Sequence, residues 1–138
     1  MSRCHTSQLT GHLGAVGDEA GHRDAELILT NTGGRTCTLD GYGGLGLHDG
    51  SVVLPTRQNR VPSPAPTLVT LALGASATST LRWSVIPGEG DAVTGRCQPV
   101  ASTLEVIPPD ETDPLAVVWV AGPVCEGGSV DQHAWVHG

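Results

Sequence analysis

Arg23-Asp24-Ala25-Glu26-Leu27-Ile28-Leu29-Thr30, followed by Asn31-Thr32-Gly33-Gly34, decides the class of fold. Ala25, Leu27 and Leu29 recur at every second position, the period of an extended strand with one buried face. The Asn-Thr-Gly-Gly run supplies the turn chemistry that ends it. The same alternation spreads outward from this strand. Upstream, between Gln8 and Val16, Leu9 and Leu13 alternate with Thr10 and His12. Downstream, Leu45 to His48 and Ser51 to Leu54 flank Asp49-Gly50, a pair favoured in a type I′ hairpin turn. Thr67 to Leu73 and Ser76 to Ile86 lie on either side of Gly74. In the second of these Ala77, Ser79, Leu81, Trp83 and Val85 share a face, with Trp83 expected to anchor the core. Thr103 to Ile107, Leu115 to Val120 and Ser129 to Val136 complete the set. The segment Pro55 to Pro66 holds four prolines and two arginines, so it is expected as an exposed, extended loop outside any central strand. No segment keeps a helical stripe over three turns. About eight short strands joined by Gly and Pro turns predict an all-β domain over residues 1–138: a two-sheet antiparallel β-sandwich, immunoglobulin-like, with a small closed barrel as the alternative fold.

Composition fits this picture. The 138 residues include 19 Gly and 10 Pro but no Phe and one Tyr, so turns are many and large core fillers few. Such a core gains from cross-links. Cys4, Cys37, Cys97 and Cys125 are widely spaced, with no C-x-x-C pair and no His at zinc-ligand spacing, which favours disulfides and an oxidising compartment. Three pairings are formally possible; Cys4 with Cys37 and Cys97 with Cys125 is preferred, because each then closes a loop within one half of the chain. The longest apolar stretch, Leu115 to Ala121, falls far short of the roughly 20 residues that span a bilayer. Because Met1-Ser2-Arg3 leads straight into the first cysteine, an export segment or anchor is expected to have preceded it. The net charge is −7 and no Lys is present, so no basic stripe exists for a nucleic-acid backbone.

The segment Leu27 to Gly44, LILTNTGGRTCTLDGYGG, resembles the signature of an actinobacterial exported family catalogued as domain of unknown function 4232. Leu71 to Ala77, Cys97-Gln98-Pro99 and Leu104 to Pro109 follow in the order that family leads one to expect. The resemblance implies a secreted protein or lipoprotein with a β-sandwich domain, located in the envelope or outside the cell; it carries over no catalytic or ligand residue. Met1-Ser2-Arg3-Cys4 is not a lipoprotein cleavage box, which leaves Cys4 as a disulfide partner. A physical reason for the signature can be given separately. Asn31 and the glycines permit a turn with positive backbone dihedrals that brings Cys37 back toward the opening strand. Tyr42, amid glycines, is expected to lay its ring across the sheet end and bond its hydroxyl locally.

Two surfaces stand out as candidate sites. If Val130, Ala134 and Val136 face the core, then Asp131, His133, Trp135 and His137 face away, placing an indole between two imidazoles on one stripe suited to sugar stacking or a protein contact. His133 and His137 would be roughly 13 Å apart along a strand, too far to share a metal ion. The second surface is the Pro55 to Pro66 loop, where a proline-stiffened segment displaying Arg57 and Arg60 could enter a protease cleft as a substrate-like inhibitor. There is no G-x-S-x-G, no H-E-x-x-H and no phosphate-cradling loop. The carboxylates of Glu89, Asp91 and Asp110 to Asp113 read as solvated loop residues. These observations lead to an exported, non-catalytic binding module with a glycan or protein partner, no cofactor and no metal, with a secreted protease inhibitor as the alternative.

Overall fold

The computed structural model describes residues 2–138. A short 3-10 turn at Thr6–Gln8 leads into thirteen strands: β1 (Leu9–Leu13), β2 (Gly17–Glu19), β3 (His22–Asn31), β4 (Cys37–Leu39), β5 (Gly44–Asp49), β6 (Val52–Val53), β7 (Arg57–Arg60), β8 (Val69–Leu71), β9 (Ser76–Ser84), β10 (Thr103–Ile107), β11 (Leu115–Val118), β12 (Ser129–Gln132) and β13 (Val136–His137). Among the described residues the only other helical element is a single turn, Cys125–Gly128, in which Glu126 and Gly127 take left-handed backbone. The chain is therefore all-β.

The strands form three sheets where two were expected. A seven-stranded sheet runs β1-β3-β9-β12-β7, with β2 added to β3 and β13 to β9; a four-stranded sheet runs β11-β10-β5-β6; β4 and β8 make a pair. All pairings between named strands are antiparallel except β7 with β12, which run parallel. The strands exceed eight because Ser129 to Val136 divides into β12 and β13, and β2, β4 and β7 form where no strand was expected.

The alternation that defined the strands places their side chains. Ala25, Leu27 and Leu29 of β3 and Ala77, Leu81 and Trp83 of β9 are buried, as are Leu47, Leu104 and Val117 from the four-stranded sheet and Leu39, Val69 and Leu71 from β4 and β8. All belong to one contiguous core, in which the Trp83 and Trp119 rings pack at a tilt of 52° with centroids 4.9 Å apart. Gly11 allows β1 to lie under β11: a Cβ there would come within 2.8 Å of the Leu115 and Val117 side chains.

Both disulfides form as expected, Cys4–Cys37 and Cys97–Cys125, with Cα atoms 4.7 Å and 5.5 Å apart. Two turn assignments need correction. The hairpin pairs Asp49 with Val52, so its central residues are Gly50 and Ser51, not Asp49 and Gly50. Gly50 has φ 59° and Ser51 is not among the positive-φ residues, the pattern of a type II′ turn with Gly first. After β3, neither Gly33 nor Gly34 has positive φ. The Asn31 side chain builds that turn instead: its Nδ2 donates to the carbonyls of Arg35 and Leu71 at 2.9 and 3.0 Å, and its Oδ1 accepts from the Gly33 N–H at 3.0 Å. Such a turn closes through side-chain bonds and needs no left-handed residue.

Candidate functional site

The C-terminal strand does not continue in one phase. Gln132 pairs with Leu81 and Val136 pairs with Thr78, so three residues, 133–135, lie opposite two on β9, Ser79 and Thr80. This is a bulge, and one extra residue exchanges the two faces of everything beyond it. Trp135 consequently turns inward and is 0% exposed, its Nε1 donating to the Tyr42 carbonyl at 2.9 Å, while Val136 turns out. The expected stripe of Asp131, His133, Trp135 and His137 is thus broken at its centre. Ser79 Oγ fixes the bulge by donating to the His133 carbonyl at 2.6 Å.

The other three residues of the stripe separate. Asp131 stays exposed and accepts a hydrogen bond from Asn59 at 3.1 Å. His133 is half-buried and lines an open cleft of about 190 Å³ with Pro64, Ala65, Thr80, Ala134 and Val136. His137 lies exposed beyond the bulge. Among the described residues, the one cluster with metal-ligating side chains is Asp91 with Cys97 and Cys125, and both sulfurs there are committed to a disulfide.

The arginine loop is also more ordered than its prolines imply. Arg57 to Arg60 is an edge strand parallel to β12. Pro55, Pro62, Pro64 and Pro66 lie outside these four residues, and an edge strand needs partners on one side only. Arg57 Nη2 donates to the Glu126 carbonyl at 2.8 Å. Arg60 donates to the Gly43 carbonyl at 3.2 Å, and its guanidinium lies 5.3 Å from the centroid of the Tyr42 ring. The Tyr42 hydroxyl bonds locally, donating to the Val61 carbonyl at 2.6 Å. Both arginines stay exposed, as expected, but each guanidinium is held to the body of the protein by a backbone carbonyl, and the segment expected as a loop contains an edge strand.

Two loop carboxylates expected in solvent are held instead. Burial of Asp91 raises its pKa, but donors from Gly88, Gln98, Gly127 and Glu126 outweigh this and hold the carboxyl far below its ordinary range. Asp91 thereby supports the left-handed turn that carries Cys125. Glu111 reaches the N-terminal segment. The Thr6 N–H and the Arg3 guanidinium, opposed by desolvation and aided by His5, lower its pKa from 4.5 to about 2.

The surface that the sequence reading did not single out is the outer face and edge of the four-stranded sheet. The strand registers align Val118, Thr103, His48 and Val53 in one row across that face, with Ala116, Glu105 and Gly46 in the next. Val118 is 72% exposed, Val53 73% and Val120 80%. His48 and Glu105 face each other at 3.4 Å between them. The outer face of the seven-stranded sheet differs: Asp24, Arg82, Asp131 and Asn59 form one of its rows. The signal for this apolar edge strand lies in Leu115 to Ala121, which is apolar at consecutive positions, so whichever of its faces is buried, the other stays apolar.

This geometry defines an all-β, disulfide-stapled domain whose distinguishing surface is the apolar edge strand β11 of its four-stranded sheet. The chain belongs to the family described as Domain of unknown function (DUF4232), whose model matches residues 4–136, nearly its whole length. Comparison with curated proteins and with solved structures gives no match.

Proposed function

We propose that this is a non-catalytic, exported module that binds a protein partner by accepting an extended strand on the edge of β11. Two disulfides fit an oxidising, envelope or extracellular setting, and among the described residues no helix is long and apolar enough to cross a membrane. The two larger sheets serve in this reading as the layers of an immunoglobulin-like sandwich. Sugar stacking needs an exposed ring, whereas Trp83, Trp119 and Trp135 are all buried and Arg60 lies over Tyr42. That favours a protein over a glycan. The inhibitor alternative draws no support from arginines tied to Glu126 and Gly43.

The observation that carries the proposal is β11 itself. It closes one end of the four-stranded sheet, and its residues 115–118 contain no charge and no proline. Proteins ordinarily protect such edges with Lys, Pro or a covering loop, and an unprotected edge is suited to strand addition. A fluorescent peptide carrying the sequence of residues 115–121 between solubilising lysines tests this by anisotropy. Saturable binding by the intact protein, lost in Val118→Lys and retained in Arg82→Ala on the opposite sheet, is expected. No binding at about millimolar peptide, a concentration at which even ~4 kcal/mol of affinity registers, would overturn the proposal.

A further inference from the structure

We infer that the strand received by β11 is the β11 of a second copy of this chain, paired antiparallel about a two-fold axis through Val118. This deepens the strand-addition reading and rests on it. The direction of the free groups follows from one hydrogen bond. The Trp119 N–H donates to the Ser102 carbonyl at 3.0 Å, back toward β10. Backbone groups of an antiparallel strand alternate sides, so the N–H and C=O of Ala116, Val118 and Val120 point away from β10 to the open edge. An extended chain satisfies that array, and its own edge presents the same array in reverse.

The edge is compatible with its own copy in charge and in side-chain pairing. Residues 115–121 are uncharged in a chain of net charge −7, so two copies can bring their edges together without placing like charges opposite one another. With the axis at Val118, Val118 faces its own counterpart and Ala116 faces Val120 of the other copy, an aliphatic pairing throughout. The row Val118, Thr103, His48 and Val53 then continues across the axis into the same row reversed. Two four-stranded sheets become one of eight. The other long edges are unsuited. β7 is Arg57-Gln58-Asn59-Arg60, which two-fold pairing would set arginine against arginine, β6 has two residues, and β1, an end strand of the seven-stranded sheet, carries Gly11 at its centre, which offers no side chain to a cross-strand pair. Pro114 and Gly122-Pro123 bracket the segment and limit the added pairing to about its own length.

Contact one strand wide falls below the roughly 1,600 Å² of a standard interface, so the dimer is weak and concentration-dependent. Sedimentation velocity on the full oxidised chain from about 10 µM to about 1 mM reads this directly. The sedimentation coefficient is expected to rise toward that of a dimer. Val118→Lys, at an exposed position that the fold tolerates, weakens association at least about tenfold, and Val53→Lys at the far side of the same sheet leaves it unchanged. A second variant fixes the register. Cα atoms of a hydrogen-bonded antiparallel pair lie about 5.5 Å apart, within disulfide reach, so Val118→Cys oxidises to a covalent dimer whereas Val120→Cys, facing Ala116, does not. A chain that stays monomeric at about 1 mM while the β11 peptide binds overturns the second-copy inference and leaves strand addition standing. If neither peptide nor second copy binds, both fall. Dimerisation that survives Val118→Lys also overturns the inference.

Discussion

Replacing Glu111 by Gln should cost stability at neutral pH and nothing in strong acid. The Glu111 carboxylate accepts from the Thr6 N–H at 2.9 Å, from Arg3 Nε at 2.8 Å and lies 3.1 Å from His5 Nδ1, tying the acidic loop to the N-terminal segment. Its side chain is 9% exposed, whereas those of Arg3 and His5 are 52% and 54% exposed. A pKa lowered from 4.5 to about 2 corresponds, at 1.36 kcal/mol per unit, to about 3 kcal/mol. Solvent screening at the half-exposed partners reduces this to about 1–2 kcal/mol. The sign follows from the lowered pKa: the unfolded state binds the proton more tightly, so the contribution is full above pH 4.5 and lost as pH falls through about 2. Urea unfolding of wild type and Glu111→Gln, stepped from pH 7 to pH 2, measures it. The difference should be about 1–2 kcal/mol at pH 7 and close as the pH drops. The Asp91 carboxylate is present in both proteins and cancels in the comparison. Equal stability at pH 7, or a gap independent of pH, would refute the argument.

Trp135→Ala should destabilise by about 3–5 kcal/mol, because it empties a fully buried site and leaves the Tyr42 carbonyl with Gln132 Nε2 alone as donor; thermal unfolding reads the loss, and a shift within experimental error would contradict the bulge. Trp119 Nε1 donates to the Gly122 carbonyl at 2.9 Å, whereas Trp83 Nε1 has no partner among the described residues. Trp119→Phe should therefore cost about 1 kcal/mol more than Trp83→Phe, by chemical denaturation of the two variants. Asn31→Ala should cost about 2 kcal/mol by opening the turn after β3, with amide exchange accelerating at Gly33. Paired Cys→Ser replacement of either disulfide should lower stability by about 3–4 kcal/mol, from loop separations of 33 and 28 residues, measured by urea unfolding against the oxidised wild type.

Local pattern carried much of the fold. Ala25, Leu27 and Leu29 are buried because their strand alternates without interruption, and Ala77, Ser79, Leu81 and Trp83 are buried for the same reason. The cysteine pairs were legible because each joins residues within one half of the chain. The candidate sites were less so. An alternating segment states which side chains share a face, but not where a neighbouring strand will skip a residue. The bulge at residues 133–135 is decided by the register with β9, more than fifty residues earlier in the chain, and it moved Trp135 from surface to core. Likewise Arg57 to Arg60 was read as loop, because nothing near it in sequence announces β12 as a partner.

The amino-acid sequence by itself determined the strand-rich class and the face of each uninterrupted strand and favoured the two cross-links that form, because these depend on side-chain period and loop closure. The tertiary structure alone decided how many sheets form, which carboxylates find donors a hundred residues away, and which strand is left at an edge. An edge is a property of the neighbour a strand lacks. The apolar run Leu115 to Ala121 is plain in the sequence, but its openness appears only when β10 covers one side of it and no strand covers the other.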